Sequence, residues 1–116
     1  MILQIRGIIL GGIAMGIENS IYLKNTIIEL FRNELPVLRA KARVSQGEIA
    51  EKIGISRQTY SSIETGKREM SWTTFLALIA YFQNNENTKR MISEINGLSE
   101  GMEMVMMKSL DNESEN

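Results

Sequence analysis

The sequence contains neither cysteine nor histidine. Their absence removes disulfides, thiolate nucleophiles, zinc sites of the usual ligand types and imidazole acid–base chemistry together. No phosphate-cradling glycine loop, pair of catalytic carboxylates or metal-ligand cluster stands at useful spacing either, so no catalytic residue, metal or cofactor is expected and the chain reads as a non-enzyme. The lack of cysteine suits a reducing cytosol, and a cytoplasmic location is the expectation, although many exported proteins also lack cysteine. Long apolar runs are missing as well. Residues 2–17 are apolar but carry Gln4 and Arg6 and are interrupted by Gly7, Gly11, Gly12 and Gly16. They fall short of the roughly 18 to 20 residues that a membrane span requires, and only fragments of a secretory signal are present. Gly11-Gly12 suits a hairpin turn; alternatively Met15 is the natural start and residues 1–14 are foreign to the natural protein. The pattern Met15 to Ser20 matches a myristoylation signal but is internal, and is read as chance.

What is present is one small domain's worth of chain: 116 residues, enough to bury a core without staples. The net charge of −1 is unevenly spread. Residues 1–34 are balanced. Residues 35–70 hold seven basic groups (Arg39, Lys41, Arg43, Lys52, Arg57, Lys67, Arg68) against four acidic ones (Glu48, Glu51, Glu64, Glu69), and residues 71–116 hold three against seven. A local basic excess is the footprint expected of a surface that meets nucleic acid.

Helical periodicity begins at Ser20, with Leu23, Ile27, Leu30 and Phe31 on one face. Pro36 forces a break near Asn33 to Leu35 and opens a second helix to about Ala42. Ser45-Gln46-Gly47-Glu48 is a capping box for a third, which ends before Gly54. Ser56 caps a fourth that ends at Thr65-Gly66, and Ser71 caps a fifth with the apolar stripe Trp72, Phe75, Leu76, Ile79 and Phe82. A sixth helix is expected from Thr88 to about Lys108 on the near-heptad series Met91, Ile95, Leu98, Met102 and Val105. Gly97 and Gly101 weaken it by roughly 1 kcal/mol each. The polar, acidic end from Ser109 to Asn116 is expected to be disordered. The fold class is therefore all-α, organised as an irregular segment 1–19, a domain 20–85 that includes the leading helix, an amphipathic helix 86–108 and a tail 109–116.

One segment carries chemistry. Ala50 is small where the third and fourth helices must cross closely, and Gly54 supplies the positive φ of a tight turn. Ile49, Ile53, Ile55 and Ile63 pin both helices to one core, which leaves Arg57, Gln58, Ser61 and Ser62 on or near the exposed face of the fourth. Leu38-Arg39, Ser45-Gln46, Glu48-Ile49-Ala50, Ile53-Gly54-Ile55-Ser56, Ile63-Glu64 and Gly66-Lys67-Arg68 together resemble the XRE, or Cro/repressor, helix-turn-helix family over about Leu35 to Phe82. The resemblance implies a lambda-repressor-like domain, here with an extra N-terminal helix and a C-terminal helical extension. It implies a transcriptional regulator that binds a double-stranded operator, as a dimeric repressor with the helix from Ser56 to Thr65 in the major groove.

Residue by residue, Arg57, Gln58 and Ser62 resemble base-reading positions, with Ser61 beside them. Gln46 resembles the glutamine that braces the recognition helix and contacts phosphate; Lys67 resembles the phosphate contact of the following loop, with Thr59 and Arg68 as further phosphate candidates. Arg39 and Glu64 resemble an internal salt bridge. Two residues depart from the pattern. Tyr60 stands where an aliphatic residue is usual, so its ring is either buried with its hydroxyl satisfied or turned partly outward. Gly47 replaces a helix former and gives a phosphate room to approach the backbone.

Each of these has a plainer reading. Arg57 and Gln58 suit a solvated helix face, Lys67 and Arg68 suit solubilising turn charges, and Lys41 and Arg43 suit general positive potential. The motif around them favours base contacts for Arg57 and Gln58 and a phosphate contact for Lys67, and leaves Arg68 evenly balanced between the two readings. The stretch Met102 to Met107 is adaptable in packing and suits a homodimer seam. Self-association is the favoured reading; the alternative is that the chain is an antitoxin that autoregulates its promoter and covers a toxin with residues 86–116.

Overall fold

The structure, a computed structural model, describes the backbone of residues 20–114 and the side chains of 21–107. The expected hairpin at Gly11-Gly12 and the alternatives at Met15 lie outside the described residues. Regular structure among the described residues is entirely helical: α1 (Ser20–Arg32), α2 (Leu35–Ala42), α3 (Gln46–Ile53), α4 (Arg57–Glu64), α5 (Trp72–Gln83), α6 (Lys89–Glu94) and α7 (Leu98–Ser114).

Local chemistry fixes most of these boundaries. The hydroxyls of Ser45, Ser56 and Ser71 accept from the amides of Glu48 at 3.0 Å, Thr59 at 3.0 Å and Thr74 at 3.1 Å, so each serine satisfies a donor the following helix would leave bare. The Glu48 carboxylate accepts in turn from the Ser45 amide at 3.2 Å, completing the capping box. Pro36 lies in the first turn of α2, where a missing amide costs nothing. Helix α3 ends at Gly54, with φ +82°. Helix α2 ends instead on Arg43 at φ +58°, a conformation that costs a residue with a side chain about 1–2 kcal/mol. The amides of Arg43 and Val44 offset that cost by donating to the carbonyls of Ala40 and Arg39.

The chain divides into two compact units. The first spans residues 31–94 and has Phe31, Leu35, Leu38, Ile49, Tyr60, Phe75, Leu78 and Phe82 wholly buried. At roughly 1.5–3 kcal/mol for each large apolar side chain, these residues supply most of the favourable term that opposes chain entropy. Within this core Phe31 meets Phe75 edge to face at 5.3 Å and Phe82 at 6.3 Å. Of the expected stripe, Phe75, Ile79 and Phe82 are buried whereas Trp72 and Leu76 are half-buried; Leu78 joins the core in their place. Ile49 and Ile63 are buried between the motif helices, and Ile53 and Ile55 are half-buried at its edge.

The second unit comprises, among the described residues, 20–30 and 95–114. Its buried residues among those described are Leu23, Ile27, Ile28, Gly97, Leu98, Gly101 and Val105. A Cβ on Gly101 would overlap Cγ2 of Ile27, so the absent side chain is what lets the backbone of α7 approach α1 there.

The carboxyl-terminal region corrects two expectations. A single helix from Thr88 to Lys108 does not form: Gly97 adopts φ +83° and separates α6 from α7. The near-heptad series is broken with it, because Met91, Ile95 and Met102 are half-buried while Ile92, Leu98 and Val105 are buried. Helix α7 also continues to Ser114, into the polar segment expected to be disordered. Extending a helix already nucleated adds one hydrogen bond per residue fixed, which favours continuation past the apolar part.

Candidate nucleic-acid interface

Helix α4 presents two different faces. Tyr60 and Ile63 are buried and the Glu64 carboxylate is 7% exposed, whereas Arg57 and Gln58 are exposed and Ser61 and Ser62 half-exposed. At 100° per residue the second group spans an arc of about 140° that begins at the helix amino terminus. Neither Arg57 nor Gln58 makes a side-chain hydrogen bond or ion pair among the described residues. The stem of Arg57 runs beside Gly47 of α3: a Cβ there would stand 3.7 Å from Arg57 Cδ and 3.8 Å from Ser45 Oγ.

The inward face is locked by a polar hub. Arg39 of α2 donates to the Glu64 carboxylate through Nε and Nη2, both at 2.8 Å. The Tyr60 hydroxyl donates to Glu64 Oε2 at 2.6 Å, and Gln46 Nε2 donates to Oε1 at 3.4 Å. Arg39 Nη1 also reaches the Val44 carbonyl at 3.3 Å. Burial alone would push the Glu64 carboxyl up, but hydrogen bonds from Arg39 and Tyr60 and the guanidinium charge hold it below the ordinary carboxylate range. Its hydrogen bond to Glu64 raises Arg39, against an opposing desolvation. Burial, reinforced by the Glu64 carboxylate, pushes the Tyr60 phenol well above its usual value. Tyr60 is thus buried with its hydroxyl satisfied, and no buried polar side-chain atom among the described residues lacks a partner.

Past α4 the chain doubles back, with Gly66 N donating to the Ile63 carbonyl and Arg68 N to the Ser62 carbonyl. Gly66 stands at φ +82°, and Lys67 and Arg68 project from this loop into solvent. Arg57, Gln58, Ser61 and Ser62 thus lie on the solvent-facing side of α4, and Lys67 and Arg68 are exposed in the loop that follows it. Gln46 is half-buried, with its amide turned toward Glu64. Thr59 is half-buried and accepts a hydrogen bond from the Ser56 hydroxyl at 2.8 Å, so its side chain serves the helix start.

Sequence reasoning passed over two participants. Tyr60 belongs to the hub, and its spacing of four from Glu64 on one helix was the available signal. Arg32, at the end of α1, lies against Gly66: Nη1 stands 3.0 Å from where a glycine Cβ would be. No local pattern links residues so far apart in sequence.

A pair of short helices joined through a glycine, the first bracing the second so that the second offers one polar face, defines the helix-turn-helix class. The chain belongs to the family described as the helix-turn-helix domain, which matches residues 30–87, half of its length. No curated protein and no solved structure matches it. No helix among the described residues is long and apolar enough to cross a membrane, and no group of metal-ligating side chains occurs among them.

Proposed function

We propose that this chain is a cytoplasmic, sequence-specific transcriptional regulator of the XRE kind, a homodimeric repressor that lays α4 in the major groove of an operator. The observation that carries the reading is the contrast between the two faces of α4. One is tied down by Glu64, Tyr60 and Ile63; the other offers an arginine and a glutamine at the helix amino terminus with no partner of their own among the described residues. Recognition helices contact base edges with their amino-terminal residues. Arginine pairs with guanine and glutamine with adenine through two hydrogen bonds each. In this reading Arg57, Gln58, Ser61 and Ser62 face bases. Gln46, Lys67 and Arg68 hold phosphates, with Thr59 contributing from the first turn.

Dimerisation draws support from the unit that contains α7. Ile21, Met106 and Met107 are 67%, 48% and 56% exposed there, apolar surface suited to a second copy. Two recognition helices would then sit about 34–36 Å apart on a pseudo-palindromic site. A toxin covering residues 86–116 is the alternative occupant. It would appear as a small protein that co-purifies with the full chain and is lost on truncation after Asn85.

Selection from a random duplex library, followed by equilibrium titration of selected and scrambled duplexes, tests the reading. The expected result is a single motif with two-fold symmetry. Arg57→Ala and Gln58→Ala should each lower discrimination by about 5- to 150-fold, the equivalent of 1–3 kcal/mol per lost pair. Enrichment of no motif, or full discrimination by both variants, sinks the proposal.

A further inference from the structure

The loop after α4 has a third cation beside it that comes from another helix. Arg32 Nη1, Cζ and Nη2 stand 3.0, 3.5 and 3.8 Å from the point a Cβ of Gly66 would occupy, so the guanidinium lies across the bare side of that residue. A side chain at 66 would stand in tight contact with that guanidinium. Lys67 and Arg68 follow at once, both exposed and neither with a side-chain hydrogen bond or ion pair among the described residues. The amide of Lys67 donates to no backbone carbonyl among them, whereas those of Gly66 and Arg68 are both engaged. Glu69, the acidic residue of the same loop, is exposed and pairs with neither Lys67 nor Arg68 among the described residues.

Lys67 and Arg68 bring two exposed positive charges and an open backbone amide to one turn, and an anion held there interacts favourably with all three. A guanidinium presents its donors in a planar fork that fits two oxygens of one phosphate, and an open backbone amide alongside adds a further donor. We infer that Arg32, together with Lys67 and the Lys67 amide, grips one phosphate of the DNA backbone at the carboxyl-terminal side of α4. The leading helix thereby contributes to the interface. This rests on the DNA-binding reading above and adds to it a contact from outside the motif. Such a contact fixes orientation and affinity while carrying no sequence preference.

The number of phosphates neutralised is read from the salt dependence of binding, log K falling against log salt with a slope near −0.9 per phosphate. For the selected duplex, Arg32→Gln should make the slope shallower by about 0.9, and affinity for selected and scrambled duplexes should fall by the same factor. Arg32→Lys, which keeps the charge, should restore the slope. A second measurement needs no variant: modification of the unaltered chain by phenylglyoxal, with each arginine followed by peptide mass. Saturating duplex should protect Arg32 and leave Arg90, exposed on α6, as reactive as before. If the parent chain binds no duplex, the functional reading fails. If it binds while Arg32 stays as reactive as in the free chain, or while the slope of Arg32→Gln equals the parent's, this contact does not exist and the functional reading stands.

Discussion

Replacing Arg39 by methionine should destabilise the unit spanning residues 31–94 by an amount that depends on pH in a specific way. In the parent, Glu64 is 7% exposed and both its oxygens are held by Arg39 at 2.8 Å. Methionine fills similar space but leaves a buried carboxylate with the Tyr60 hydroxyl and a long contact to Gln46. Removing one partner of a fully buried pair costs about 3–5 kcal/mol, because the remaining charge is stranded; for this part-buried pair, with the Arg39 side chain 20% exposed, a loss of about 2–3 kcal/mol is expected. A unit of this length carries roughly 3–10 kcal/mol in all, so the loss is a large part of it.

The parent's Glu64 carboxyl is held below its unfolded value, so its stabilising contribution is present above the ordinary glutamate range and is lost as pH falls through the lowered folded value. In the variant, burial is no longer opposed by the guanidinium and the same carboxyl moves above its unfolded value. Its contribution is then complete below the unfolded value, about 4.3, and lost as pH rises. The gap between parent and variant should therefore be widest near neutrality and narrow toward pH 4. Urea titration can follow it through Trp72, the one tryptophan, which stacks on Phe75 at 4.9 Å. The triple change Arg39→Met, Tyr60→Phe, Glu64→Leu, which removes the charge and its main donors together, should recover most of the loss. An equal gap at pH 4 and pH 7 would refute the stranded charge as its origin.

Other outcomes follow from the same geometry. Gly54 and Gly66 share φ +82°, but a Cβ at Gly54 meets nothing within 4 Å whereas one at Gly66 meets Arg32. Alanine should cost about 1–2 kcal/mol at either position from strain, with little added at 66 because the far end of the flexible Arg32 side chain need shift by only a few tenths of an ångström; a urea midpoint far lower for Gly66→Ala than for Gly54→Ala would contradict that freedom of Arg32. Gly101→Ala should lower the thermal midpoint of the helical signal despite alanine's advantage of about 1 kcal/mol in a helix, because overpacking against Ile27 costs about 1–3 kcal/mol. A variant more stable than the parent would show that α1 and α7 do not touch there. Tyr60 is held above its unfolded value, so its contribution is intact below about pH 10 and declines as pH rises beyond it. Tyr60→Phe should flatten that alkaline decline in urea titrations between pH 9 and 11, and an unchanged profile would separate Tyr60 from it.

The features legible in the sequence were those whose cause lies within a few residues. Ser45, Ser56 and Ser71 start helices because each reaches an amide three residues on, and Gly54 ends one because its own φ is positive. The inward and outward faces of α4 follow from a single period. Gly97 and Gly101 were not separable in this way, since both read as the same loss of helix propensity. One takes a positive φ and divides two helices; the other sits within a helix and gives up its side chain to Ile27. Only packing partners distant in sequence distinguish them. The same holds for Arg32, whose place beside Gly66 depends on where Phe31 is anchored between Phe75 and Phe82.

The open side of Gly47 bears on how this surface can change over evolutionary time. A methyl group there would stand in ordinary contact, 3.7 Å, with Cδ of Arg57, so a side chain at 47 would border the arm that carries the guanidinium. Target preference can thus drift through substitutions in the supporting helix, while every residue proposed to touch a base stays as it is.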